Sequence, residues 1–203
     1  MAGGASQRFG GKKLGTMLGE RPLLAHALDA AAAAAQDIVV VVGTDPEVAD
    51  LVQTWSRIQS RSVRMIAATN QIEGMGASLR SGIGAVELDV DGALVFLGDM
   101  PFVPPGIIQS LVDALVEGAT AAAPIFCGRR GHPVLLGRQL IAQRALIGGD
   151  RGAGSLLSSE PGLALIETGD DGVIFDVDTA DDLAEAVRRH ALASSRNARS
   201  DLG

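Results

Sequence analysis

The stretch DIVVVVG at Asp37–Gly43 is apolar without interruption from Ile38 to Val42 and ends at a glycine, and ALVFLG at Ala93–Gly98 repeats the pattern. A strand that helices cover on both faces is apolar on both sides, as in a parallel sheet. Two weaker runs, Ser62–Thr69 and Thr120–Phe126, have the same character. Together these runs predict the central strands of one sheet.

Helix-like stretches separate these strands: Arg21–Ala35, Pro46–Ile58, Ala77–Glu87 and Pro104–Gly118. Strands that alternate with helices predict an α/β fold, here a three-layer Rossmann-like sandwich with a mostly parallel sheet. The later third predicts a smaller mixed-sheet extension that completes a pocket. Its predicted elements are the strands Gly131–Leu136, Gly162–Thr168 and Gly172–Asp178 and a helix at Arg138–Ile147.

The last predicted helix covers Asp178–Ala193. Thr179 can cap its start, acids fill its first turn and basic residues approach its end, in agreement with the helix dipole. The polar residues 194–203 are expected to be a disordered tail. At 203 residues the chain suits one domain, over residues 1–193.

Composition excludes several classes of protein. The formal net charge of -7 disfavours broad attraction to nucleic acid or anionic lipid, and a chain with Trp55 and no tyrosine offers little aromatic surface for stacking bases. A single cysteine, Cys127, excludes an internal disulfide and suits a reducing cytoplasm. No uncharged run approaches the ~20 residues that span a bilayer. We therefore expect no nucleic-acid or membrane partner.

The first thirteen residues, MAGGASQRFGGKK, combine glycines with donors and positive charge. Gly3 and Gly4 let backbone amides approach a ligand closely, while Ser6, Arg8 and Lys13 add hydrogen-bond donors and cations. Such a loop suits a polyphosphate, although a flexible glycine-rich start explains the same residues. The loop matches neither of the common phosphate-loop motifs, GxxxxGK[ST] and GxGxxG.

Acidic residues form two further groups. Asp99 in LGDMPFV follows an apolar run, and the carboxyl ends of strands in open α/β sheets border ligands, so Asp99 is well placed to hold Mg²⁺ or else to cap a turn. Asp176 and Asp178 flank Val177 and share a face if Val177 points into the core, where both carboxylates could complete a cation site. Asp181 and Asp182 are expected at the helix start.

The opening stretch MAGGASQRFGGKKL resembles the LAxGxSxRxGxxK signature of the MobA-like nucleotidyltransferases, with Arg8 and Lys13 at the arginine and lysine. The resemblance implies a nucleotide-diphospho-sugar-transferase-like fold. It also implies that Arg8 and Lys13 neutralise a nucleoside triphosphate as pyrophosphate leaves. Asp99, in the GDxP position, would coordinate the catalytic magnesium, and a DxDTPEDL-like segment matches the stretch from Asp176, with alanine where the family has proline.

Three segments are similar to the molybdenum cofactor cytidylyltransferase branch. In the first, GMGASL, Gly74, Gly76 and Ser78 would border the nucleotide base, although Ser78 could instead cap a helix. In the second, RGHPVL, Arg130 and His132 would line the pterin site, although a histidine before proline is equally suited to a turn or a core. The third, GDRGAGSLL at Gly149–Leu157, contributes Arg151 as a further candidate on the acceptor side. The Gly3-Gly4 pair is more typical of the guanylyl branch.

The resemblance implies Mg²⁺-dependent transfer of a nucleotide from CTP, with GTP as the alternative, to the terminal phosphate of molybdopterin, and a molybdenum hydroxylase apo-enzyme as a partner. Three other functions stay open. They are guanylyl or sugar-phosphate nucleotidyl transfer, a nicotinamide or flavin oxidoreductase, and a non-catalytic protein that hands on the molybdenum cofactor.

The family's phosphate loop follows a central strand of about five apolar residues. That strand has no counterpart before the loop in this sequence. Without it, neighbouring strands would have unpaired edges and the loop would be poorly anchored. The first strand is therefore expected to be missing from this sequence. Either the working protein begins upstream of Met1, which we favour, or the sheet does without that strand.

Overall fold

The computed structural model describes residues 13–68, 75–143, 157 and 160–200, without the side chains of 75 and 196–200. Of the residues singled out in the sequence, Gly3, Gly4, Ser6, Arg8, Gly74 and Arg151 lie outside the described residues. No described helix has both the length and the apolar character required to cross a membrane.

Strands and helices alternate along the chain. The strands are β1 (Met17–Leu18), β2 (Arg21–Pro22), β3 (Val39–Val42), β4 (Arg64–Ala67), β5 (Gly92–Val95), β6 (Ala121–Phe126), β7 (Arg129–Arg130), β8 (Val134–Gly137) and β9 (Leu163–Glu167). The helices are α1 (Leu23–Ala34), α2 (Pro46–Ile58), α3 (Met75–Gly84), α4 (Gly106–Val116), α5 (Arg138–Ala142) and α6 (Ala180–Ser200). Turns of 3-10 helix lie at Lys13–Gly15 and Asp171–Val173.

The strands form two main groups. β3 pairs in parallel with β4, from Val39 opposite Arg64 to Val42 opposite Ala67. The second group has the order β5-β8-β6-β7, with β9 on the other edge of β6. β8 is antiparallel to both β5 and β6, whereas β6 and β9 are parallel. The sheet pairing is therefore mixed, because β8 lies between two strands that run in the same direction.

Helices cover both faces of the strands. On β3, Val40 and Val42 pack with α1 and α2, while Val41 faces α3, where its side chain lies 3.0 Å from a Cβ built on Gly82. On β5, Val95 packs with α3 and α5, whereas Leu94 packs with α4. This alternation gives three layers, with α1, α2 and α4 on one face and α3 and α5 on the other.

Most predicted elements are confirmed, and α2 covers the predicted residues Pro46–Ile58. Its start has a clear cause, because the side chain of Asp45 accepts a hydrogen bond from the Glu47 amide and proline occupies the first turn. The predicted strand Gly172–Asp178 is wrong, since 3-10 helix occupies Asp171–Val173 and residues 174–178 are irregular. In that segment Asp170 accepts from the Gly172 amide and favours a turn.

Two predicted helix ends also differ. The helix at Arg138–Ile147 is observed as α5, Arg138–Ala142, and residues 144–147 lie outside the described residues. The last helix was predicted to end at Ala193, but α6 continues to Ser200. The hydroxyl groups of Ser194 and Ser195 donate to the carbonyls of His190 and Ala191, so these serines are accommodated within the helix. The first part of the predicted disordered tail is thus helical.

Candidate active site

A buried lysine joins two carboxylates that are distant in sequence. Lys13 Nζ donates to Asp99 Oδ2 at 2.8 Å and to Asp178 Oδ1 at 2.6 Å. The side chain of Lys13 is 9% exposed, against 28% for Asp99 and 53% for Asp178. The structure thus brings together three residues that the sequence singles out separately, near the carboxyl end of β5.

Packing of the neighbouring residues fixes Lys13. It begins the 3-10 turn Lys13–Gly15, in which Leu14 packs against the core formed by α1, α2 and β3. The Lys13 carbonyl accepts from the Thr16 amide at 3.1 Å, and the Thr16 carbonyl accepts from the first residue of α1 at 2.8 Å. The turn that carries the ammonium group is therefore attached to the start of a buried helix.

Asp99 lies in the turn that follows β5. Met100, the next residue, is 3% exposed, and its amide donates to the Leu97 carbonyl. The Asp99 carbonyl accepts from the Val177 amide at 3.1 Å. Val177 is 1% exposed, so it faces the core as predicted, although the surrounding segment is not a strand. This backbone bond holds the segment with Asp176 and Asp178 beside Asp99.

The start of α6 orients Asp178 through a reciprocal cap. Asp182 Oδ2 accepts from the amides of Asp178 and Thr179, at 3.1 and 2.8 Å, while Thr179 Oγ1 accepts from the Asp182 amide at 3.2 Å. The hydrogen bonds from Thr179 lower the pKa of Asp182, so its carboxylate is held ionised. The predicted capping by Thr179 and the predicted plain role of Asp182 are both confirmed.

The charges of the cluster influence one another. Burial opposes the positive charge of Lys13, but the hydrogen bonds to Asp178 and Asp99 outweigh it, and the pKa of Lys13 is raised. Asp176 has a raised pKa because it is partly buried and because the Asp178 carboxylate lies nearby. Lys13 is therefore held in its charged form beside Asp99 and Asp178, while the ionised form of Asp176 is disfavoured.

The donor set suits a hard divalent cation, since carboxylate oxygens are the ligands that Mg²⁺ prefers. The Lys13 ammonium already contacts Asp99 and Asp178 together, so one cation is able to reach both carboxylates. Among the described residues, however, no group of three or more His, Cys, Asp or Glu side chains is arranged around a single metal position. Asp99, Asp176 and Asp178 thus remain predicted ligands, two of them paired here with Lys13.

His132 lies beside the carboxyl end of β5. Its Nδ1 donates to the Val95 carbonyl at 3.3 Å, and its amide donates to the Val173 carbonyl at 2.7 Å. Burial lowers the pKa of His132, which favours the neutral ring. Arg130 is exposed in β7, opposite Ile125. These contacts agree with the interpretation of His132 as a core residue. Its role in lining a pterin site stays a prediction.

Two of the three residues predicted beside the nucleotide base lie in α3. Gly76 and Ser78 are the second and fourth residues of this helix, which begins at Met75, and both are buried. Ser78 is therefore inside the helix and cannot be its N-cap, so that alternative is wrong. Its side chain is 6% exposed and borders a cavity between α3 and the strands. Contact with a nucleotide base stays a prediction.

The ion pairs of Lys13 were not predicted from the sequence, in which this lysine was expected to bind phosphate. The signal was the position of this lysine before the apolar Leu14, since a lysine close to a core needs acidic partners. The contacts between α6 and the segment that contains Asp176 and Asp178 were not predicted either. Arg189 pairs with Asp171 at 2.8 and 2.9 Å, and its guanidinium lies 4.2 Å from the centre of the Phe175 ring.

Fold and site together define an α/β protein whose cationic and acidic groups meet at the carboxyl end of a strand, where ligands bind in such sheets. The chain belongs to the family of the MobA-like NTP transferase domain, whose model matches residues 1–164. The matched region contains Lys13 and Asp99, and Asp176 and Asp178 follow it. Family membership agrees with the resemblance found in the sequence.

Individual relatives agree with this assignment. The chain is 34% identical over 172 residues to phosphoenolpyruvate guanylyltransferase of Sphaerobacter thermophilus, covering 80% of this chain and 76% of that protein. It is 34% identical over 125 residues to bifunctional protein GlmU of Symbiobacterium thermophilum, covering 61% of this chain but a quarter of that protein's length, 25%.

A solved structure has the same fold. The homologue of Mycobacterium tuberculosis Rv0371c from Mycobacterium sp. strain JC1 superimposes with a TM-score of 0.75 at 29% identity, covering 92% of this chain and 94% of that chain. The predicted fold class is therefore confirmed.

Proposed function

We propose that this protein is an enzyme that transfers a nucleotide from CTP to the terminal phosphate of molybdopterin, with Mg²⁺, and releases pyrophosphate. The observation that carries the proposal is the contact of the Lys13 ammonium with Asp99 and Asp178 at 2.8 and 2.6 Å. A site for a nucleoside triphosphate and its metal needs a cation for the phosphates beside carboxylates for the metal, and this cluster supplies both.

The chemistry needs little more than positioning and charge. A phosphate monoester is already ionised near neutral pH, so the acceptor can attack the α-phosphorus without a dedicated general base. Lys13 and Arg8 would bind the β- and γ-phosphates and stabilise the charge that develops on departing pyrophosphate. Asp99, Asp176 and Asp178 would hold the Mg²⁺ ion, which, when bound, neutralises phosphate charge at the reacting centre.

Nucleotide binding would change the partners of Lys13. In the present arrangement the Lys13 ammonium forms ion pairs with Asp99 and Asp178. Lys13 would turn toward the triphosphate when Asp99 and Asp178 hold the metal, since the ammonium and the metal compete for the same carboxylate oxygens. Lys13 would thus keep the two carboxylates close together until nucleotide and metal arrive.

A second candidate is guanylyl transfer from GTP to a small phosphorylated acceptor. The supporting observation is the likeness to phosphoenolpyruvate guanylyltransferase over 80% of the chain. The Gly3-Gly4 pair in the first loop favours the same branch. Both candidates use a phosphate monoester as the nucleophile, so the cluster of Lys13, Asp99 and Asp178 serves either reaction.

The test is a matrix of the four nucleoside triphosphates against molybdopterin, phosphoenolpyruvate and a hexosamine 1-phosphate, with Mg²⁺. Products are identified by mass, and pyrophosphate release gives the rate. A cytidine dinucleotide of the pterin is expected. A guanylylated product would replace the first candidate with the second.

Two other outcomes would reject nucleotidyl transfer. Oxidation of reduced nicotinamide without nucleotide turnover would identify an oxidoreductase. Nucleotide binding without turnover, unchanged in Asp99→Ala, would identify a non-catalytic protein that hands on the cofactor. If the pterin product forms, a molybdenum hydroxylase apo-enzyme is the expected recipient.

A further inference from the structure

The segment that carries Asp176 and Asp178 is not part of a regular element. Residues 174–178 are irregular and lie between the 3-10 turn Asp171–Val173 and α6. The hydrogen bonds of a sheet fix a strand along its whole length, and among the described strands none includes this segment. The position of its two carboxylates therefore depends on contacts made by neighbouring side chains and by individual backbone groups.

Two phenylalanine rings join this segment to the loop that contains Asp99. The ring centres of Phe102 and Phe175 lie 5.7 Å apart, and the ring planes are inclined by 51°. Aromatic pairs attract each other at such distances and tilts. Phe102 is the third residue after Asp99, and Phe175 is the third residue before Asp178. The ring contact therefore connects the two acidic positions through short lengths of backbone.

Arg189 of α6 lies over the ring of Phe175. Its guanidinium carbon is 4.2 Å from the ring centre, within the roughly 6 Å over which a cation and an aromatic face attract each other. The same guanidinium donates to both oxygens of Asp171, at 2.8 and 2.9 Å, and to Glu185 at 3.0 Å. These ion pairs fix the guanidinium and, with it, the ring that it covers. We call Phe102, Phe175 and Arg189 the Phe–Arg cluster.

Backbone contacts lie on both sides of Phe175 in the sequence. Before it, Gly172 is so close to the Phe102 carbonyl that an added Cβ would clash with it. After it, the Val177 amide donates to the Asp99 carbonyl at 3.1 Å, and Val177 is 1% exposed. Both rings also pack against the buried side-chain cluster that includes Val177. The Phe175 ring thus lies in the middle of the attachment between the acidic segment and the Asp99 loop.

We propose that the Phe–Arg cluster consists of positioning residues, which hold Asp178 close enough to Asp99 for both carboxylates to bind one divalent cation. The Lys13 ammonium now spans the two carboxylates, at 2.8 Å from Asp99 and 2.6 Å from Asp178. Like charges repel each other, so a site that keeps two carboxylates at this spacing needs support from the backbone behind them. The metal-binding role of these carboxylates is taken from the proposed function, on which this inference rests.

The first experiment measures Mn²⁺ affinity by electron paramagnetic resonance, at a temperature well below the melting point of every variant. Phe102→Leu and Phe175→Leu keep an apolar side chain but remove the ring contact. Each should weaken Mn²⁺ binding by roughly 10–100-fold, as is typical when a residue that orients a metal ligand is changed. Parent-like affinity in both variants would overturn the proposal.

The control for lost stability is Leu140→Ala. Leu140 is 3% exposed and belongs to a core cluster that contains no member of the Phe–Arg cluster. The substitution leaves a cavity and lowers the melting temperature, but it should leave the Mn²⁺ affinity unchanged. An equal loss of affinity in Leu140→Ala would show that general destabilisation is the cause, and this result would also overturn the proposal.

Arg189 has a matched neighbour on the same helix. Arg188 and Arg189 both pair with Glu185, but Arg189 also covers the ring of Phe175. Arg189→Met should weaken Mn²⁺ binding, and Arg188→Met should not. Because Phe102 and Arg189 both act through Phe175, Phe102→Leu should reduce the affinity less in an Arg189→Met background than in the parent protein. Fully independent losses, or equal losses in the two arginine variants, would contradict the proposal.

The rate of Lys13 acetylation by acetic anhydride gives a readout that needs no metal. The reagent reacts with a free, uncharged amine, whereas Lys13 is 9% exposed and its ammonium contacts Asp99 and Asp178. Phe175→Leu should raise the rate several-fold, measured site by site with mass spectrometry, and Leu140→Ala should not. An unchanged rate in Phe175→Leu would overturn the proposal. Failure of the parent protein to bind Mn²⁺ would reject the metal-binding part of the proposed function, while the Lys13 rate would still decide whether the cluster sets the spacing.

Discussion

Replacing Lys13 with methionine tests the link between stability and the candidate site. The substitution keeps a long side chain against Leu14 but removes the ammonium that separates Asp99 from Asp178. The two carboxylates would then face each other without the cation that now compensates them. We expect lower stability and lower activity, from the same cause.

The magnitude follows from the exposure of each partner. The bond to Asp99, whose side chain is 28% exposed, is a partly buried charge-assisted hydrogen bond and contributes about 1.5–3 kcal/mol. Asp178 is 53% exposed, so solvent reduces its contribution to about 0–1 kcal/mol. Methionine avoids the cost of burying an ammonium group, which offsets part of this sum. A net loss of roughly 2–3 kcal/mol lowers the melting temperature by about 4–12 °C in a domain of this size.

Thermal and urea unfolding measure the loss, and pyrophosphate release measures the activity, which should fall by roughly 10²–10³-fold. Mg²⁺ should raise the melting temperature of Lys13→Met more than that of the parent protein, because the metal replaces the missing cation. The control is Arg188→Met, which breaks the exposed Arg188–Glu185 pair and should leave the melting temperature nearly unchanged. A Lys13→Met protein as stable as the parent, with no added response to Mg²⁺, would refute the reasoning.

Three further outcomes are expected. Asp99→Asn should reduce pyrophosphate release by roughly 10²–10³-fold, since an amide is a poorer ligand for a divalent cation and a poorer partner for the ammonium. Burial lowers the pKa of His26 below the usual 6.5, so stability should fall as pH drops below about 6.5, and His26→Gln should weaken that dependence in thermal unfolding while the contribution of His132 stays. Gly131→Ala should lower stability by roughly 1–3 kcal/mol in urea unfolding, because its Cβ would clash with the Val173 carbonyl oxygen, whereas Gly169→Ala meets nothing within 4 Å and should be nearly neutral.

The sign of the pH effect follows from proton linkage. Between the lowered pKa of folded His26 and the usual value in the unfolded chain, the unfolded state binds more protons, so acid favours unfolding. A melting temperature that rises on acidification through this range would contradict the assignment. For Asp99→Asn, activity close to that of the parent protein would exclude Asp99 from the reaction. For the glycine pair, equal losses at Gly131 and Gly169 would show that the close carbonyl is not the cause.

The helices and most strands could be predicted from short stretches of sequence, because the residues that determine them are neighbours in the chain. The run of valines in β3 and the Asp45 cap of α2 depend on residues close in sequence. The pairing of strands was harder to predict, since β8 reaches its place between β5 and β6 through contacts across the chain. The segment Gly172–Asp178 has an alternating pattern typical of a strand, yet the Asp170 turn and the burial of Val173 hold it in another conformation.

The candidate site was predictable in part for a similar reason. Asp99 follows an apolar strand, a position that indicates a ligand site in an α/β sheet. Asp176 and Asp178 flank a buried valine. That Lys13 contacts Asp99 and Asp178 depends on packing and on the bond between the Val177 amide and the Asp99 carbonyl, which no local pattern contains. Which nucleotide base binds depends on side-chain contacts that family resemblance alone does not specify.

Arg189 has a consequence for how the protein tolerates change. It donates two hydrogen bonds to Asp171, stacks on Phe175 and pairs with Glu185. These contacts attach the segment before Asp176 to α6. Removing the residues after position 164, where the family match ends, would leave Lys13 and Asp99 in place. It would delete the Arg189 contacts together with Asp176 and Asp178. The residues after the family match are therefore needed to place Asp176 and Asp178 beside Lys13 and Asp99.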